Sequence, residues 1–189
     1  MKRVTTYLLL AAVLLVSAAA VFPQSYDTGR VSFIFGPRVG ATVIFVDSET
    51  FTETVREMTP DPRDSYFPVI TQFGVSLEQR IKLGDTESHF AFQEIINVGG
   101  VDQGLLLPSL NVLIGFRSRL GLELGVGPNI TFQYNGVDLE VPLTVVYAVG
   151  WTFTFSDVYI PVDIAVMPTP KDKRFRLTLM TGFNFDIAR

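Results

Sequence analysis

Beyond the first thirty residues, apolar side chains fall on alternate positions, and no helical period of useful length competes with that pattern. Val31, Phe33, Phe35, Pro37, Val39, Ala41, Val43 and Phe45 share one parity, with Ser32, Gly36, Arg38, Gly40 and Thr42 on the other. A period of two belongs to a β-strand with one apolar face. The same alternation returns over 67–83, 108–116, 120–132, 141–155, 158–166 and 175–187. Residues 89–98 add a less regular strand: Glu94 falls on the parity of Phe90, Phe92, Ile96 and Val98, which leaves a bulge or a shifted parity open there. Eight strands result.

The connections decide the topology. Those after strands two, four and six are tight, near Asp85-Thr86, Arg119-Leu120 and Ser156-Asp157, whereas most of the others are longer. Tight turns on one rim, long loops on the other and both termini on the tight side are the pattern of an up-and-down antiparallel barrel that crosses a membrane. If Asp85-Thr86 is a two-residue turn, Ile81 lies opposite Phe90 and Gln79 opposite Phe92. Equally, Ser156-Asp157 sets Phe153 against Ile160 and Trp151 against Val162. Apart from Gln79, like faces meet.

A soluble barrel would alternate too, with its apolar side inward. Eight strands enclose room for only a modest set of side chains, and this apolar face carries most of the chain's 16 Phe together with a longer list of Leu, Ile and Val. Gly36, Gly40, Gly74, Gly115, Gly125, Gly127, Gly150 and Gly182 all fall on the polar parity. Glycine on a solvent face would weaken a strand without compensation; in a narrow lumen it makes room for the polar residues beside it. The bulky face is therefore expected to meet lipid, giving an all-β, eight-stranded antiparallel transmembrane barrel.

The N-terminus fits export. Lys2 and Arg3 precede an apolar run from Tyr7 to Val16, and Ala18 and Ala20 suit cleavage after Ala20, so residues 1–20 read as a signal peptide and 21–189 as the barrel domain. The chain has no Cys and a single His, so disulfides, thiolate chemistry and zinc sites are not expected, nor is any other metal or cofactor. With a net charge of −4 and no basic run, nucleic acid is not an expected partner.

An exported, cysteine-free chain with eight alternating segments resembles the small outer-membrane barrels of the OmpX, OmpW and OmpA-transmembrane-domain type. Gly182, Phe185 and Ile187 resemble their C-terminal assembly signal, a glycine followed by hydrophobic residues three and five positions later. Met180, where a polar residue is usual, and the trailing Ala188-Arg189 depart from it. The resemblance implies residence in a bacterial outer membrane, contact with its lipid, and handling by periplasmic chaperones and the barrel-assembly machinery.

Arg38, Glu78, Arg80, Arg117, Glu123, Asp163 and Arg176 all fall on the lumen parity, and a turn centred near Leu120 sets Arg117 opposite Glu123. An internal ion-pair network that fills the lumen is expected, with a selectivity ring in an open pore as the alternative. Residues 47–65 hold six acidic residues and two prolines, and read as a mobile outer loop that could meet a surface ligand. Asp85, Glu87, Ser88 and His89 could be imagined as a catalytic set, but neighbours on a strand face opposite sides, so no catalytic residue is assigned. A structural or surface-interaction barrel is favoured over a narrow conduit for small, apolar solutes, as in the OmpW-like group, and over a lipid-modifying enzyme.

Overall fold

In the computed structural model, residues 31–56, 65–134, 139–169 and 174–187 are described. The segment expected to be a signal peptide lies outside them. The elements are β1 (Val31–Ile44), α1 (Ser48–Arg56), β2 (Val69–Lys82), β3 (His89–Gly99), a 3-10 turn (Val101–Gln103), β4 (Leu107–Arg117) and β5 (Leu122–Thr131). They continue with β6 (Gln133–Tyr134), β7 (Leu139–Glu140), β8 (Leu143–Phe155), β9 (Val158–Thr169), β10 (Arg174–Gly182) and β11 (Asn184–Asp186). Strands β2, β3, β4, β5, β8 and β9 pair antiparallel in sequence, β10 and β11 pair with both β9 and β1, and β1 pairs with β2, so the sheet closes. The fold is an eight-stranded up-and-down antiparallel β-barrel of the transmembrane kind, with β6 and β7 forming a small separate hairpin above it.

β10 and β11 are one stave interrupted at Phe183. Its register is unbroken: Gly182 faces Arg38 and Phe185 faces Phe35 on β1. Pro37 lies opposite the gap and can accept from the Phe183 N–H, at 3.3 Å, but has no N–H to return. All three tight turns keep the expected registers. Ile81 faces Phe90, Arg117 faces Glu123, and Phe153 faces Ile160.

The third strand carries no bulge. Its eleven rungs with β2 are continuous, so Phe90, Phe92 and Glu94 share the outward parity, and Gln93, Ile95 and Asn97 point into the lumen.

The outer face explains the membrane assignment. Near the tight-turn ends it carries Phe35, Phe90, Phe116, Trp151, Phe153, Phe155, Phe183 and Phe185, and near the long-loop ends Phe45, Phe67, Phe73 and Phe175, all exposed. Phe45 and Phe175 stack with ring centroids 4.0 Å apart. Between them most exposed side chains are aliphatic, among them Val39, Val75, Ile96, Ile114, Val126, Val149, Ile164 and Leu179, with Tyr147 and the outward-parity Glu94 as exceptions. An aliphatic band between two aromatic girdles matches the layering of a bilayer.

The long-loop rim differs from expectation. Residues 48–56 form a helix rather than a mobile loop; residues 57–64 lie outside the described ones. Asp47 Oδ1 accepts from the Thr50 N–H at 2.8 Å and caps the helix, with Glu49 in its first turn and Arg56 in its last. Phe51 and Val55, four residues apart on one face, bury against Tyr66, Ile70 and Leu105. Nine residues are too few for a stable isolated helix, so this packing holds it. Gln103 clamps the chain entering β2: its Nε2 donates to the carbonyls of Phe67 and Val69, and its Oε1 accepts from the Phe67 N–H.

Candidate functional site

The lumen holds the polar chemistry of this barrel. Six of the seven charges expected there converge. Arg117 on β4 donates from Nη2 to Glu78 Oε2 on β2 at 2.5 Å and from Nε to the same oxygen at 3.1 Å. Arg80 Nε donates to the other oxygen of Glu78. Arg117 also reaches Glu123 at 3.4 Å, Arg80 reaches it at 3.6 Å, and the Thr152 hydroxyl donates to it. Alongside, Arg38 donates to Asp163 at 2.8 Å and to Ser76 at 3.0 Å. Three guanidiniums meet three carboxylates, so the cluster is neutral. Glu78 is 1 % exposed and Arg117 5 %. Burial of that depth is tolerable because each ion is paired and hydrogen-bonded.

The expected network is therefore present, with a different leading pair. Glu123 is the rung neighbour of Arg117, but Glu78 takes its shortest bonds. Strands of a barrel tilt, so side chains two strands apart can come level while rung neighbours are offset along the axis. A long Arg side chain spans that gap. Gln93, whose Oε1 accepts from Arg117 at 3.1 Å, and the anchors Ser76 and Thr152 were not singled out in the sequence. Gln93 was within reach: the Asp85-Thr86 turn puts it opposite Glu78.

Arg176 is the exception. It lies toward the long-loop rim, opposite Ile44, the last residue of β1. Its Nη2 donates to Thr144 Oγ1 at 3.0 Å and to Asn129 Oδ1 at 3.3 Å, and among the described residues no carboxylate meets it. Hence it does not join the network.

The charge cluster sits at a level between two cavities and is termed the septum. A cavity of about 740 Å³ lies on its long-loop side and another of about 620 Å³ on its tight-turn side, and Arg117 and Glu123 are the two residues common to both walls. So the expected filling of the lumen is confined to one level. Just above the septum Ile95, Leu113, Val146 and Met167 pack into an apolar waist, while Phe51, Val55 and Leu105 roof the upper cavity. Arg38 Nη2, Gln93 Nε2 and Asn97 Oδ1 are buried without a protein partner, and their residues line that same cavity.

Of the remaining candidates, His89 and Glu87 both line the tight-turn cavity, and Glu87 is engaged by Arg119 at 2.9 Å. Gly182 closes β10, and Phe185 and Ile187 are exposed on the outer face. No group of His, Asp or Glu suited to a metal ion occurs among the described residues.

No protein-family model and no curated protein matches the chain. Several solved structures are similar to it, three of them as follows. One is Ail, the attachment invasion locus protein of Yersinia pestis, in complex with the heparin analogue sucrose octasulfate: 12% identity, TM-score 0.46, covering 84% of this chain and 98% of that one. Another is the N-terminal β-barrel domain of Pseudomonas aeruginosa OprF, with 13% identity, TM-score 0.38 and coverage of 81% and 97%. The third is a de novo designed transmembrane β-barrel, with 10% identity, TM-score 0.39 and coverage of 82% and 95%. The chain is a membrane barrel of the small, eight-stranded build. That statement rests on its closed sheet, its aromatic girdles and its polar lumen.

Proposed function

We propose that this chain is an integral protein of a bacterial outer membrane, closed across its lumen, that presents the long-loop rim with α1 as an interaction surface. The septum carries this reading. A neutral cluster of six paired charges occupies one level of the lumen, and among the described residues it is not a ring of like charge such as a selective pore uses. An ordered rim supports it: α1, the segment before β2 and the turn after β3 are bound to one another by Thr52–Tyr66 and Gln103–Phe67 hydrogen bonds. Gly182, Phe185 and Ile187 are proposed as the feature that the barrel-assembly machinery reads, after periplasmic chaperones have delivered the chain. We assign no catalytic role.

The test is location and solubility. Expressed with its own N-terminus in a Gram-negative host, the protein should fractionate with the outer membrane and need detergent for extraction. Recovery as a stable periplasmic monomer without detergent contradicts the proposal.

A further inference from the structure

We infer that the upper lumen cavity binds a fatty-acid-like monocarboxylate, with Arg176 holding the carboxylate and the apolar waist taking the alkyl chain. This rests on the closed membrane barrel proposed above and adds a ligand to it.

Charge balance comes first. The septum is neutral by itself, so among the described residues Arg176 gives the cavity wall an uncompensated positive charge. Its described partners are neutral oxygens of Asn129 and Thr144, both met from Nη2 alone. A partly buried guanidinium with neutral partners is poorly compensated for lost water, and its planar fork of donors matches a carboxylate bidentately. An incoming anion would supply the missing countercharge.

Shape and polarity come second. Arg176 shares a rung with Met167, and Met167 belongs to the cluster formed with Ile95, Leu113 and Val146. The cation thus adjoins an apolar surface, with Phe51 of α1 on the roof and the septum as a floor. A volume of about 740 Å³ falls within the roughly 300 to 1,000 Å³ of ordinary small-molecule sites. One charged group beside a mostly apolar wall selects a ligand of the same design. A simple sugar or inorganic anion would leave the waist unused, and a neutral alkane would leave Arg176 uncompensated.

The probe is dodecanoate, titrated calorimetrically into the full-length protein in nanodiscs of zwitterionic phosphatidylcholine, with empty nanodiscs as the blank and dodecanol as the uncharged control. Wild type should bind dodecanoate saturably, at least about tenfold more tightly than dodecanol, since a charge-assisted hydrogen bond strengthens the contact. Arg176→Gln should erase that preference and Arg176→Lys keep much of it. Leu113→Trp, which fills the waist, should abolish saturable binding of both. Binding no greater than to empty nanodiscs, or equal preference in wild type and Arg176→Gln, overturns the site. Folded insertion is read separately, from the mobility difference between unheated and boiled samples, so failure to insert is distinguished as a failure of the barrel reading itself.

Discussion

Arg117 binds Glu78 at 2.5 Å across an intervening strand, although Glu123 is its neighbour on the rung. Glu78 in turn lies between Arg117 and Arg80, which makes it the carboxylate on which most of the septum depends.

Removing Glu78 should therefore cost more than removing Glu123. In Glu78→Ala, Arg117 loses its shortest contacts while still buried, for an expected loss of about 3 to 5 kcal/mol. In Glu123→Ala, Arg117 and Arg80 both keep Glu78, and about 1 to 3 kcal/mol is expected from the unmet Thr152 hydroxyl and the weakened pairing. Urea unfolding of the detergent-folded protein orders the two. Equal losses, or a larger loss in Glu123→Ala, contradict the assignment of Glu78 as the leading partner.

Two lumen glycines should respond differently to alanine. A Cβ added at Gly150 would meet Asp163 Oδ1 at 1.9 Å and the Val162 carbonyl oxygen at 2.8 Å, so Gly150→Ala should displace Asp163 from Arg38 and cost about 1 to 3 kcal/mol. At Gly125 the nearest atom is 3.5 Å away, an ordinary contact, so Gly125→Ala should stay within about 0.5 kcal/mol of wild type. Comparable losses at both sites would mean that the lumen is packed otherwise.

Much of this barrel was legible in the sequence because membrane strands write two faces into one period. The parities of Phe33 through Phe45 and of the eight glycines, and the turns at Asp85-Thr86 and Ser156-Asp157, led directly to the observed registers. Glu94 was misleading because a carboxylate on the outward parity mimics a register slip. α1 was missed because Phe51 and Val55 are only two apolar anchors within an acidic stretch, and their partners Ile70 and Leu105 are distant in sequence. Parity also placed all seven charges in the lumen, but could not rank their pairings, because strand tilt decides which side chains come level. That is why Glu123 looked like the partner of Arg117 and why Arg176 looked like part of the network.

The roof should open when its anchor is removed. Phe51→Ala deletes most of the apolar surface that holds α1, and a nine-residue helix does not persist alone. Amide exchange over 48–56 should accelerate by about tenfold or more, while the barrel strands keep their protection. Unchanged exchange in α1 would show that the helix is held by something other than Phe51.

Trypsin reports the orientation. Arg56, exposed at the end of α1, belongs to the long-loop rim, and Arg119, also exposed, to a tight turn. In intact cells cleavage is expected at Arg56 or Arg63 and not after Arg119; the opposite pattern would invert the barrel.

The most direct measurement of the whole account is the conductance of the purified wild-type protein in a planar bilayer. With Glu78, Arg80, Arg117, Glu123, Arg38 and Asp163 closing one level of the lumen, no single-channel steps of porin size should occur over long recordings. Reproducible steps of that size from folded protein would contradict the septum and make this barrel a conduit.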